Sequence, residues 1–215
     1  MRVKFCGIAR IEDARAAAHL GAWAIGLNHS ERSPRRCDPA TAVAIAAELR
    51  REVEIVGVFV NPTLDELARA AEDESLAILQ LHGDEGPDFC REAARRTGCR
   101  VIKGLRVRSG ADVQAAEAFR TDFHLLDAHR PGTPGGTGES FDWELAATRR
   151  STVPLILAGG LTPVNVAEAI SVTHPFAVDV ASGVEVSPGV KDPQLMAAFA
   201  EAARAASGEP RAVAR

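Results

Sequence analysis

Tyrosine is absent from the 215 residues, and aromatic residues together make up only 5% of them. So little ring surface argues against a stacking platform for nucleic-acid bases. A strong charge of either sign is missing too. The formal net charge is −4, which gives no electrostatic case for nucleic acid or an anionic membrane as partner. No apolar run is long enough to span a bilayer. The opening stretch, MRVKFCGIARIEDARAA, carries charge inside any would-be apolar core, unlike a secretory leader. A cytoplasmic protein is expected. Cys6, Cys37, Cys90 and Cys99 show no C-x-x-C pairing, which argues against a zinc knuckle or a disulfide framework, so each defaults to a reduced, buried thiol. No metal site is expected: His82 has no second histidine or acid at ligand spacing, and His124 and His129 read as structural. The loop Gly132–Gly138 lacks the Gly-Lys-Ser/Thr ending of a nucleotide-binding loop and reads as a lid, an anion-binding turn or a plain connector.

What is present is alternation. Val3–Cys6, Ala24–Leu27, Glu54–Val60, Ala77–Leu81, Val101–Leu105, Phe123–Leu126, Pro154–Leu157 and Phe176–Val180 read as short apolar strands. Helical patterns separate them. One has Ile11, Ala14 and Ala18 on a face closed by Gly21, and another has Ala42, Ile45, Ala46 and Leu49. A third opens on the capping box Thr63–Glu66. Pro87–Arg96, Ala111–Phe119 and a short segment near Phe141–Ala147 follow, and the last helix has Asp192 as N-cap with Leu195, Ala198, Phe199 and Ala202 facing inward. Eight βα units without a composition break predict one domain over residues 1–206, with 207–215 as a frayed tail. An open doubly wound sheet would use the same alternation. The count near eight favours closure into a (β/α)8 TIM barrel, although ~250 residues is typical of that fold.

The stretch Pro154–Lys191 is the most informative. Two apolar runs each end in small residues, Gly159-Gly160 after the first and Ser182-Gly183 after the second. Thr162 as N-cap and Pro163 at the first helical position are expected to start the helix between them. Glycines let backbone N–H groups come close to an anion, and two such turns after the last two strands of a barrel predict a phosphate cradle at Gly159, Gly160, Ser182 and Gly183. Chemistry in this fold gathers at the strand tips. The tips here include Cys6, Asn28, Asn61, Gln80, His82, Arg106, Asp127 and Asp179, with Arg35 in the loop after the second strand. A thiol at Cys6 and a carboxyl at Asp127 suit a base and acid on two sides of one substrate. Arg35 suits a two-pronged grip on a carboxylate. His82 and Asp179 complete the substrate-binding candidates.

In order and number, VKFCGIAR at 3–10, SPR at 33–35, VGVFVN at 56–61, QLHGDE at 80–85 and LLDA at 125–128 resemble the phosphoribosylanthranilate isomerases of tryptophan biosynthesis. GGTG at 135–138, FDW at 141–143, LAGGLTPVNV at 157–166 and VDVASGVEVSPGVKD at 178–192 extend the resemblance nearly end to end. It implies an Amadori rearrangement of N-(5-phosphoribosyl)anthranilate to the 1-deoxyribulose 5-phosphate derivative. The implied general base is Cys6 and the implied general acid Asp127. Arg35 would hold the anthranilate carboxylate, and the two glycine turns the phosphate. LNHSER at 27–32 and Ala9-Arg10 depart from the family's pattern, beside the expected site of the anthranilate ring.

No metal or redox cofactor is expected for such a reaction, because the substrate's own nitrogen serves as electron sink. The partner is a small phosphosugar and the chain is expected to act as a monomer. Strand alternation puts Lys4 on the side of Cys6, so Lys4 is expected to lower the thiol pKa, with Asp179 as its counter-ion. Two other readings compete: a different phosphosugar isomerase or epimerase, and a non-catalytic phosphosugar-binding barrel. The lack of metal-ligand histidines counts against a metal-dependent epimerase.

Overall fold

The computed structural model describes residues 1–127 and 143–208. The loop expected at 128–140, with His129 and its glycine run, lies outside the described residues, as do 141–142 and most of the expected tail. The described strands are β1 (Arg2–Cys6), β2 (Ala24–Asn28), β3 (Glu54–Phe59), β4 (Ile78–Leu81), β5 (Arg100–Arg106), β6 (Phe123–Asp127), β7 (Leu155–Ala158) and β8 (Ala177–Val180). They pair in parallel in sequence order, and β8 closes on β1 through Arg2–Ala177 to Phe5–Val180. Between them run α1 (Ile11–His19), α2 (Pro39–Leu49), α3 (Leu64–Asp73), α4 (Pro87–Thr97), α5 (Gly110–Ala115), α6 (Trp143–Ala147) and α7 (Val166–Thr173). The fold is a closed (β/α)8 barrel.

Its two cores follow from the two-residue strand period. Val3, Phe5, Ile25, Leu27, Ile55, Leu79, Leu81, Val101, Leu155, Leu157 and Val178 face outward and pack with the helices. The alternate residues Ala24, Val56, Val58, Ile78, Ile102, Phe123, Leu125, Ile156 and Ala177 fill the barrel. The same parity that sends Ile78 inside also sends Gln80 and His82 inside, one layer higher at a time. Three of the scarce aromatics meet at the base: Trp23 packs on Phe123 and Phe176 at centroid distances of 5.5 and 5.4 Å. The Arg2 guanidinium covers Phe176 from 4.3 Å. The opposite mouth is left to polar groups.

Helix starts follow their caps. Thr63 and Glu66 form the expected capping box, and Asp192 accepts from the amides of Gln194 and Leu195 at the start of α8 (Pro193–Ala206). Three expectations need correction. Thr162 does not cap α7: its amide donates to Asn165 Oδ1 at 2.7 Å, Pro163–Asn165 form a turn, and the helix starts at Val166. In α8 the inward face is Met196, Phe199, Ala200 and Ala203, and Leu195 and Ala198 are exposed. The helix expected over Ala111–Phe119 tightens into a 3-10 turn at Ala116–Ala118. The sequence reading also missed a 3-10 turn at Ser182–Val184 and a hairpin, β9 (Glu185–Ser187) and β10 (Val190–Lys191), between β8 and α8. No helix among the described residues is long and apolar enough to cross a membrane.

A buried ion pair fixes the loops above β3, β4 and β5. Lys103 Nζ donates to Glu85 Oε2 and to the Gly83 carbonyl, both at 2.7 Å. Glu85 Oε1 accepts from the amides of Asn61 at 2.7 Å and Gly83 at 3.1 Å. Replacing Glu85 by Leu strands the Lys103 charge and two amides at once. Breaking a buried pair from one side costs about 3–5 kcal/mol. The expected result is a fall of that size in unfolding free energy, read from the denaturant midpoint at unchanged slope.

Candidate active site

At the carboxyl ends of the strands lies a cavity of about 470 Å³. The acid–base, substrate and phosphate candidates all line it, namely Cys6, Arg35, His82, Asp127, Gly159, Gly160, Asp179, Ser182 and Gly183, whereas the strand-tip residue Asn61 lines a neighbouring hollow instead. Cys6 is delivered by β1, His82 follows β4, Asp127 ends β6 and Asp179 lies in β8, all at inward-facing parity. Gly159 and Gly160 have φ of 92° and 63°, in the region that favours glycine. The two glycine turns touch, since a Cβ on Gly183 would lie 1.9 Å from the Leu161 carbonyl oxygen. Only glycine permits that approach.

Beneath Cys6 sits a buried charge pair. Lys4 is fully buried and its Nζ donates to Asp179 Oδ1 at 2.9 Å. A Cβ on Gly26 would meet Cys6 Sγ at 3.0 Å and Lys4 Nζ at 3.1 Å, so the glycine of β2 makes room for both groups. Burial pushes the Cys6 thiol above its ordinary pKa, with Asp179 adding to the rise, while Lys4 and Lys191 pull it down. Lys4 thus acts on the thiol in the expected direction, with Asp179 as its partner, but burial outweighs it. Burial opposes the Lys4 charge as well, yet Asp179 and Cys6 together hold its pKa above the usual lysine value. Burial also lowers the pKa of His82, against the pull of Asp127 and Asp179, so its ring is neutral near pH 7. That ring lies on Gly104 of β5, where a Cβ would meet it at 2.6 Å. Away from the cavity, burial lifts the Cys37 and Cys90 thiols to about 12 and about 11.

Three contributors escaped the sequence reading in whole or part. Gln80 stood among the strand tips without a role. It is buried, lines the cavity, and its Oε1 has no hydrogen-bond partner among the described residues. Glu185 and Lys191, on the unforeseen hairpin, pair with each other at 2.7 Å, and Glu185 also holds Arg35. The departing segment after β2 has a separate effect. His29, Arg32 and Arg36 line a neighbouring hollow of about 610 Å³ together with Arg69, and His29 stacks on Phe59 at 4.5 Å.

An eight-stranded parallel barrel that gathers ionisable side chains and paired glycine turns around one cavity at the carboxyl ends of its strands defines a class, the (β/α)8-barrel enzymes. The N-(5'phosphoribosyl)anthranilate (PRA) isomerase family model matches residues 3–202, and the chain belongs to that family. The N-(5'-phosphoribosyl)anthranilate isomerase of Pseudomonas fluorescens is 48% identical over 97% of this chain and 98% of its own length. Among solved structures, phosphoribosyl anthranilate isomerase from Thermotoga maritima superposes with a TM-score of 0.86 at 40% identity, covering 95% of this chain and 99% of that one. Another, in complex with reduced 1-(o-carboxyphenylamino)-1-deoxyribulose 5-phosphate, gives 0.82 at 38% identity over 95% and 99% of the two chains.

Proposed function

We propose that Asp127 and Cys6 are the acid and the base with which this isomerase converts N-(5'-phosphoribosyl)anthranilate to 1-(2-carboxyphenylamino)-1-deoxyribulose 5-phosphate. Asp127 protonates the furanose ring oxygen, the C1–O bond breaks, and the anilino nitrogen lone pair forms a C1=N iminium ion. That cation acidifies the proton on C2. Cys6 as thiolate removes it, leaving an enolamine with a C1=C2 bond, which ketonises as C1 takes a proton and the C2 hydroxyl loses one. The substrate's own nitrogen lends its lone pair to the iminium bond and takes it back when C2 loses its proton, so the route calls on no metal or redox cofactor. Arg35 holds the anthranilate carboxylate, the Gly159-Gly160 and Ser182-Gly183 turns hold the phosphate, and His82 and Asp179 contact the ribosyl part. The neutral His82 ring suits hydrogen bonding to a hydroxyl. All these groups come from one chain, so a monomer in the cytoplasm suffices.

The observation that carries this reading is the shared cavity of Cys6, Asp127 and both glycine turns. It predicts selective alkylation. Cys37, Cys90 and Cys99 are 2%, 1% and 8% exposed, whereas Cys6 opens on the cavity. Iodoacetamide is expected to abolish turnover with one label per chain, on Cys6, and the reduced product analogue is expected to protect it. Turnover is followed as loss of substrate fluorescence and the label by peptide mass. Inactivation without a label on Cys6 would remove it from the mechanism.

A further inference from the structure

Arg35 is not a free guanidinium reaching into the cavity. Its Nε donates to Glu185 Oε1 and Oε2 at 2.9 and 3.0 Å, and its Nη2 donates to Oε2 at 2.8 Å. Glu185 therefore occupies the whole Nε/Nη2 edge. A guanidinium has five N–H donors in a fixed plane, and the fork of Nη1 and the second Nη2 hydrogen, which bonds none of the described residues, suits a second carboxylate. The aliphatic stem is fixed too. Gly7, at φ 69°, passes under it so closely that a Cβ there would meet Arg35 Cδ at 2.6 Å.

Glu185 is itself held. Its side chain is only 4% exposed, and Oε1 accepts from Lys191 Nζ at 2.7 Å. Lys191 Nζ, fully buried, donates further to the carbonyls of Cys6 at 2.6 Å and Ala181 at 3.1 Å. The Lys191 amide donates to Asp13 Oδ2 of α1 at 3.2 Å. Burial opposes ionisation of Glu185, but its hydrogen bonds from Arg35 and Lys191 outweigh this and hold it below the usual carboxylate range. The hairpin thus joins three things: the peptide of Cys6, the end of β8 and the guanidinium of Arg35.

We propose that Glu185, backed by Lys191, is a positioning residue that sets substrate specificity. By holding one edge of Arg35 it aims the opposite fork at the anthranilate carboxylate, and it ties that fork to the peptide bearing Cys6. This rests on Arg35 as the carboxylate anchor. A charge-assisted two-pronged bond is directional, so loosening the guanidinium weakens recognition of a carboxylate more than of the sugar phosphate.

The test compares N-(5-phosphoribosyl)anthranilate with N-(5-phosphoribosyl)aniline, the same compound without the carboxyl group, in wild type, Glu185→Gln, Glu185→Asp and Arg35→Met. Glu185→Asp keeps the counter-charge for Lys191 but is one methylene too short for the two-pronged hold, and it serves if Glu185→Gln does not fold. For the anthranilate substrate, kcat/KM is expected to fall roughly ten- to a hundredfold in a Glu185 variant, mainly through KM, with little change for the aniline. In the Arg35→Met background, Glu185→Asp is expected to add no further discrimination loss. An equal fall for both substrates, or none, overturns the proposal. If Arg35→Met erases the preference for the carboxyl group while the Glu185 variants keep it, the positioning role alone fails. If Arg35→Met keeps the preference, the anchor reading fails and the proposal falls with it.

Discussion

Asp127→Asn and Cys6→Ser are each expected to lower kcat by about 10²–10⁴-fold while leaving the barrel folded. Proton transfer by a positioned side chain contributes factors of that order. Asparagine keeps the shape of Asp127 but has no proton to give the ring oxygen, so the furanose stays closed. Serine keeps most of the volume of Cys6, but its hydroxyl is a far weaker acid than a thiol and supplies almost no anion near neutral pH. Ring opening and C2 deprotonation are successive, so the double variant is expected to fall little below the worse single one. Stopped-flow or steady-state loss of substrate fluorescence measures all three, with thermal midpoints as the folding control. A single variant that turns over like wild type would refute the role given to that residue.

The second large effect concerns the charge pair under Cys6. Lys4→Met removes a cation that pulls the Cys6 pKa down, and Asp179→Asn removes a carboxylate that pushes it up. The working form of Cys6 is the thiolate, so activity rises with pH along a limb governed by its deprotonation. Lys4→Met is expected to move that limb to higher pH and Asp179→Asn to lower pH. Each unit of upward movement costs about tenfold in rate at a pH well below the limb. Alkylation rate against pH gives the thiol titration directly, and kcat/KM against pH gives the catalytic one. The two probes need not agree to the decimal, because the thiol and its neighbours titrate together. Shifts of the same sign in both variants would dismantle this electrostatic account. Lys4→Met also leaves the 7% exposed Asp179 without its cation, so a loss of stability accompanies the shift.

The architecture and the cavity-lining residues were legible because both obey the same alternation. Counting by two along FHLLD puts Phe123 and Leu125 inside and Asp127 at the tip, and the structure keeps that parity. What stayed hidden depends on partners far apart in the chain. Thr162-Pro163 has every local mark of a helix start, but the Asn165 side chain takes the Thr162 amide and delays the helix. In α8 alanines sit on several faces, so composition did not fix which stripe turns inward. Glu185 and Lys191 read as ordinary charges around a Ser-Pro-Gly turn. Their burial follows from Cys6, 185 residues from Lys191 along the chain, and no local pattern reports it. Arg35 was legible as a residue but not in its aim.

The aromatic knot at the base has a practical consequence. With no tyrosine in the chain, near-ultraviolet emission comes from its two tryptophans, Trp23 and Trp143, and neither lines the cavity. Trp23 stands where four staves of the barrel converge. Its amide bonds to the Val3 carbonyl of β1, it leads into β2, and its ring touches Phe123 of β6 and Phe176 just before β8. Parting the seam between the first and last staves would pull those rings from the indole. With Trp143 replaced by Phe, the emission of Trp23 becomes a built-in gauge of cylinder closure, readable without any attached dye.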